Sequence, residues 1–226
     1  MLNPNDATGK ETEVVARKVW EALGVKVVSS DWYERGTTEF QPIAAKMAGQ
    51  KPDAIDLGTA PPADSGIVFR EIRVLGWNGV KIVAAGTSAE AMVKVGADAV
   101  EGVYMGLSAD YDGAQATEIQ RKLNKGLRAA VGEPMNVIQV GGYDAVMALK
   151  AGMEAANSLD PKAIAAVLPK IVFETSYGKT AFGGADTYGS AQHMLMPVIV
   201  TQVQKGKVVE VKRVVPDELG KRIAAK

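Results

Sequence analysis

The chain has 226 residues, 47% of them hydrophobic, with 26 basic side chains against 26 acidic ones, so it can pack one large or two small domains and carries no net field that would draw it to nucleic acid or an anionic membrane. It has no cysteine and one histidine, which excludes thiol catalysis, disulfides and Cys-based zinc sites. Its apolar runs, such as residues 194–200, fall short of the roughly 18 to 20 residues that a spanning helix needs, and Met1-Leu2-Asn3-Pro4 does not lead into the apolar stretch of a secretory signal.

Thr8 to Leu23 reads as an amphipathic helix, with Val15, Val19, Ala22 and Leu23 on one face, a Thr8–Glu11 capping box at its start and Gly24 at its end. A strand is predicted at 26–30, then a helix at 39–48, a strand at 54–58, a helix at 61–75, a strand at 80–85, a short helix at 88–95 and a strand near 100–105. Strands separated by helices of this length need crossover connections, and right-handed crossovers build a parallel, doubly wound sheet, so this half is an α/β domain.

The second half changes rhythm. Helical patterns at 115–131, 142–156 and 161–168 follow one another with no strand between them. The middle one carries Tyr143, Val146, Leu149, Met153 and Ala156 at helical spacing, and Asp160-Pro161 opens the last. Beyond Lys170 come Gly- and Thr-rich residues, then β-rich segments at 194–204 and 207–215 joined as a hairpin at Gly206. The basic residues after Gln202 read as a solvated end or as an approach to an acidic partner. The opening strand reads as cut short, and the successive helices need more sheet than the predicted strands offer. The expectation is a fragment lacking an N-terminal partner.

In open parallel sheets ligands bind outside the carboxyl ends of the strands. That rule selects the loops Asn3–Gly9, Gly58–Pro62 and Gly86–Ser88, with Asn5, Asp6, Thr8, Thr59, Thr87 and Ser88 as the polar side chains. Helix N-termini there suit a carboxylate or another small polar head group. Capping of their own helices, by Thr8 with Glu11 and Thr87 with Glu90, weighs equally. His193 lies in a β-rich segment and reads as structural, and Asp53, Asp56 and Asp64 form no convincing catalytic pair, Asp64 belonging to the first turn of a helix. Trp20, Trp32 and Trp77 are scattered and read as packing residues. Neither phosphate-binding glycine motif is present. No pattern calls for a metal, a cofactor or enzymatic chemistry.

The order of motifs carries a resemblance. Asn5-Asp6-Ala7-Thr8-Gly9, Gly36-Thr37-Thr38-Glu39-Phe40, Lys51-Pro52-Asp53-Ala54, Ala99-Val100-Glu101-Gly102-Val103-Tyr104, Gly142-Tyr143-Asp144-Ala145-Val146 and Thr180-Ala181-Phe182-Gly183-Gly184 follow in register along nearly the whole chain. Together they resemble the C-terminal lobe, with returning segments, of type I periplasmic solute-binding proteins of the Leu/Ile/Val-binding family. The resemblance implies a two-lobed clamp for a small amino-acid-like, carboxylate or amide solute, in the periplasm or outside the cell, delivering to the membrane permease of an ABC importer. A ligand-sensing domain of a receptor or regulator is the alternative use of the same clamp. It also implies a division into a C-terminal lobe at 1–111, helices of an incomplete N-terminal lobe at 112–190, and closing strands and tail of the C-terminal lobe at 191–226. Thr8, Thr59-Ala60 and Thr87-Ser88 stand where that family places second-lobe ligand contacts. No tyrosine stands in the first loop and no acid directly after Gly86, so the expected head group is a carboxylate or an uncharged amide rather than a zwitterionic amino acid.

Overall fold

The computed structural model describes residues 1–225 and divides into two compact units, Met1–Ala109 with Val200–Val211, and Asp110–Ile199 with Lys212 onward. In the first unit the elements are β1 (Leu2–Pro4), α1 (Ala7–Ala22), β2 (Asp31–Tyr33), α2 (Gln41–Gly49), β3 (Ala54–Asp56), α3 (Pro62–Val74), β4 (Val80–Val83), α4 (Ala89–Gly96) and β5 (Tyr104–Met105). β1 and β2 pair in parallel, Leu2 opposite Asp31 and Pro4 opposite Tyr33. β3, β4 and β5 form a second parallel run, with Ile55 opposite Lys81 and Val83 opposite Met105.

The second unit contains α5 (Glu118–Val131), α6 (Val137–Ala156), α7 (Pro161–Val167), β6 (Val172–Thr175), β7 (Gly178–Gly183), α8 (Ala185–Tyr188) and β8 (His193–Met194), and the last three strands form an antiparallel sheet. The chain then returns through β9 (Val198–Gln204) and β10 (Lys207–Val214) before α9 (Asp217–Ala224). Residues 200–211 complete the sheet of the first unit, in the order β10-β9-β5-β4-β3, and β9 runs antiparallel to β5 with Tyr104 opposite Gln202.

Leu2, Phe40, Met47, Ile55, Leu57, Val68, Phe69, Ile72, Val83, Met92 and Val203 fill the core of the first unit. They come from β1, β3, β4 and β9, from α2, α3 and α4, and from residues flanking these elements, and their burial is the main force holding the unit together.

Four expectations are corrected. Residues 26–30 are not a strand; β2 begins at Asp31, where the N–H donates to the Met1 carbonyl. The strand near 100–105 shrinks to Tyr104–Met105, because 97–100 coil into a 3₁₀ turn. α1 does not bury its valines: Val15 is 62% and Val19 50% exposed, while Glu13, ion-paired to Arg17 at 2.6 Å, is buried. The Gly- and Thr-rich stretch after Lys170, for which no element is predicted, forms the β6–β7 hairpin. The basic end is no loose tail, since α9 buries Leu219, Glu218 accepts the Gly184 N–H at 3.0 Å, and Arg222 donates to the carbonyls of Phe182 and Pro169. Lys212 onward groups with the second unit.

Candidate functional site

The loops after β1, β3 and β4 are tied together by two buried side chains. Asn3, on β1, is buried, and its Oδ1 accepts the Thr59 N–H at 3.2 Å with the Thr59 hydroxyl at 3.5 Å. This approach requires glycine at 58, where φ is +51° and a Cβ would lie 2.0 Å from Asn3 Oδ1. Asp56, at the end of β3, is 5% exposed. Its Oδ1 accepts the N–H groups of Gly58 at 2.8 Å and Ala84 at 3.3 Å, and its Oδ2 accepts Trp20 Nε1–H at 3.2 Å. The loops after β3 and β4 are joined again by the Ala85 N–H on the Gly58 carbonyl at 3.0 Å.

The first loop is held by charge. Asp6 has extended backbone and caps α1 by accepting the Gly9 N–H at 2.8 Å, while Arg35 Nε donates to its other oxygen. The Gly9 bond, then Arg35, hold the Asp6 carboxyl below the usual carboxylate range. Gly9 is required as well, since a Cβ would lie 2.0 Å from the Pro4 carbonyl oxygen. Asn5 donates through its backbone to Tyr33 at 2.7 Å and through Nδ2 to Glu34 at 2.6 Å. The Tyr33 hydroxyl donates to Asp64 at 2.8 Å, and burial, reinforced by that carboxylate, pushes it above the ordinary phenol range. Its ring meets Phe40 edge-on at 5.0 Å.

Of the residues singled out in the sequence, Asn5, Asp6 and Ser88 are therefore engaged within the protein. Ser88 caps α4 by accepting the Ala91 N–H at 3.4 Å. The capping boxes expected at Thr8 with Glu11 and Thr87 with Glu90 are corrected, because the extended residues preceding the two helices are Asp6 and Ser88. That releases the Thr8 and Thr87 hydroxyls, which make no hydrogen bond among the described residues; Thr8 is exposed and Thr87 half-buried. Thr59 is half-buried and Ala60 belongs to the core. The N-terminus of α3 has no side-chain cap, its Ncap being Pro61, so it presents backbone N–H groups beside Thr59.

Sequence reasoning passed over Asn3, Tyr33 and Arg35, and set Asp56 and Asp64 aside. A readable signal existed only for Asp56, a carboxylate closing an apolar strand two residues before a glycine. No group of three or more His, Cys, Asp or Glu side chains able to hold a metal occurs among the described residues. His193 lies in the second unit, exposed, with its ring 4.7 Å from that of Tyr188. The site can offer hydroxyls, backbone N–H groups and the Asp6–Arg35 pair to a small polar molecule.

The family model described as periplasmic binding protein matches residues 1–207. The Leu/Ile/Val-binding protein BraC3 of Rhizobium johnstonii is 27% identical over 188 residues, which are 80% of this chain and 50% of that protein. A leucine-binding protein of Thermotoga maritima has the same fold, with a TM-score of 0.77 at 20% identity over 96% of this chain and 61% of that one. A solute-binding protein of an ABC transporter from Rhodopseudomonas palustris, solved in complex with benzoate, matches with a TM-score of 0.73 at 20% identity, covering 95% of this chain and 57% of that one. The chain spans about half the length of the curated relatives it matches.

Proposed function

The chain belongs to the periplasmic binding protein family, whose members are solute-binding proteins and not enzymes, and from that premise we propose that the first unit forms one wall of a cleft for a small amino-acid-like, carboxylate or amide solute. The observation that carries the reading is the convergence of the loops after β1, β3 and β4, locked by Asn3 and Asp56, with the Thr8, Thr59 and Thr87 hydroxyls unspent or weakly held at their tips. Fixed loops with free donors recognise polar groups at little ordering cost. The uncapped N-terminus of α3 favours an anionic or amide oxygen nearby. In this reading Asn5, Asp6 and Ser88 shape the wall, and Thr8, Thr59, Ala60 and Thr87 border the solute. The protein acts in the periplasm or outside the cell and hands its solute to the permease of an ABC importer; relatives named for leucine, isoleucine and valine binding, and the neighbour solved with benzoate, support this.

A thermal-shift panel of leucine, isoleucine and valine, their matched carboxylic acids and amides, and benzoate tests the proposal. At least one carboxylate or amide raises the melting temperature, and Thr87→Val weakens that solute about tenfold, the loss of one hydrogen bond, without changing the melting temperature of the free protein. No stabilisation by any compound at millimolar concentration would refute the binding role. Stabilisation by the amino acids alone would refute the head-group assignment.

A further inference from the structure

The ladder between β1 and β2 is still in register where it reaches Met1. The Asp31 N–H donates to the Met1 carbonyl at 3.0 Å and the Met1 ammonium to the Ser29 carbonyl at 2.8 Å, in line with Leu2 opposite Asp31. One step further back along that ladder, the Ser29 N–H and the Val27 carbonyl face a position that no described residue fills. Residues 26–30 therefore stay outside the sheet although their sequence is strand-like.

The far side of that position is the outer edge of β3, the last strand in the order β10-β9-β5-β4-β3. Toward β4, the Asp53 carbonyl accepts the Val80 N–H at 2.8 Å and the Leu57 N–H donates to the Ile82 carbonyl at 2.9 Å. Alternation along the strand turns the backbone groups of Ala54 and Asp56 the opposite way. Asn3 of β1 already lies beside the end of this edge, through its bond to Thr59. A cavity of about 560 Å³ separates residues 25–29 from β3, and Val25, Val27, Ile55 and Ile82 line it together with Trp20 of α1 and Met47 of α2. Two rows of backbone groups between apolar side chains are the surroundings of a buried parallel strand. A compact apolar molecule would fill the space and leave both rows unpaired.

We propose that this slot is filled by an extended apolar strand of about five residues from outside residues 1–226, colinear with β1 and parallel to β3. The added strand donates to the Val27 carbonyl and accepts the Ser29 N–H on one side, and pairs with Ala54 and Asp56 on the other. The matched relatives are about twice as long as this chain, so they hold further polypeptide from which such a strand can come. The slot uses none of the loop-tip hydroxyls assigned to the solute wall, so the two assignments fail separately.

Fluorescence polarisation of the whole chain with a labelled peptide, two lysines followed by Val-Val-Ile-Val-Ala with an amidated end, tests this together with amide hydrogen exchange. The peptide binds one-to-one and slows exchange at Ser29, Ala54 and Asp56. Methylating its alternate backbone nitrogens keeps the apolar surface, removes donors and weakens binding at least about tenfold. Ala54→Pro removes an N–H at a free strand edge, where proline is tolerated, and Val27→Glu puts a charge in the slot; each weakens binding at least about tenfold. Circular dichroism accompanies both, and Val27→Glu, on a segment outside the sheet, carries the decision if Ala54→Pro fails to fold. Joined directly ahead of Met1, the same five apolar residues raise the melting temperature. Absence of peptide binding, equal binding of the methylated peptide, or unchanged exchange at Ser29 and Ala54 would overturn the proposal. A dimer of the free chain in sedimentation, with those amides already protected, would overturn it too, because the occupant would then be a second copy.

Discussion

The carboxylate of Asp144, on α6, holds Ser176 at two points: Oδ1 accepts its backbone N–H at 2.6 Å and Oδ2 its hydroxyl at 2.8 Å. The pair fastens the middle helix of the second unit to the turn between β6 and β7, where Thr117 also donates to the Ser176 carbonyl at 2.7 Å. Burial pushes the Asp144 carboxyl above its ordinary value, and the two Ser176 bonds offset only part of that. The folded chain therefore keeps this proton to higher pH than the unfolded chain does. The associated stability is complete below the unfolded carboxylate value and is lost as pH rises through the folded one.

Stability should accordingly fall from about pH 4 toward neutrality in the wild type relative to Asp144→Asn, which has no proton to lose. Asn can still accept the Ser176 N–H and donate to its hydroxyl, so this variant should be at least as stable as wild type at neutral pH. Asp144→Ala orphans a buried N–H and should lose about 1–3 kcal/mol. Urea midpoints across the pH series check all three; a wild-type midpoint that climbs relative to Asp144→Asn in that window would contradict the assignment.

Asn3 and Gly58 should be strongly coupled. Gly58→Ala alone combines the left-handed backbone cost with an overlap against Asn3 Oδ1, for a loss of about 3 kcal/mol. Asn3→Ala should lose about 1 kcal/mol through the Thr59 N–H. In the double variant the overlap disappears, so its loss should fall short of the sum by about 1 kcal/mol or more. A denaturant cycle on the four proteins measures this, and additive losses would show that the two side chains do not meet.

The β9–β10 turn puts Lys205 at φ +52° and Gly206 at φ +69°, the pair of positive angles that a two-residue type I′ hairpin demands. Lysine is a poor choice at the first of these. Lys205→Asn should raise stability by about 0.5–1 kcal/mol. Glu101 accepts the N–H groups of both turn residues, at 2.7 and 3.2 Å, and Glu101→Ala should lose about 1 kcal/mol. Thermal melts of the two variants decide; a lower melting temperature for Lys205→Asn would mean the turn does not have this geometry.

The parts of the structure that repeat a local pattern were legible in the sequence. The alternation through β5, the Gly206 hairpin, the Asp160 cap, which accepts the Ala163 N–H at 2.9 Å, and Asp64 in the first turn of α3 all follow from neighbours within a few residues. Caps displaced by one or two residues, Asp6 for Thr8 and Ser88 for Thr87, show where adjacent side chains have equal capping ability and backbone geometry alone decides. The inward face of α1 could not be read, because periodicity marks an apolar stripe without saying what stands opposite it. Here Trp20 reaches Asp56, 36 positions along the chain, and that bond orients the helix. The first unit's loops were found by topology, but the side chains that lock them, Asn3 and Asp56, act through partners distant in sequence.

The sheet of the first unit pairs Tyr104 with Gln202, and this orders events on the ribosome. Parallel strands β3 to β5 emerge early, yet β5 keeps an open edge until residues 110–199 have been synthesised and β9 follows them out. Closing so long a loop is slow, and an unpaired edge meanwhile can recruit another strand. Yield during expression should therefore respond to translation speed and chaperone supply more than to the equilibrium stability of the finished fold.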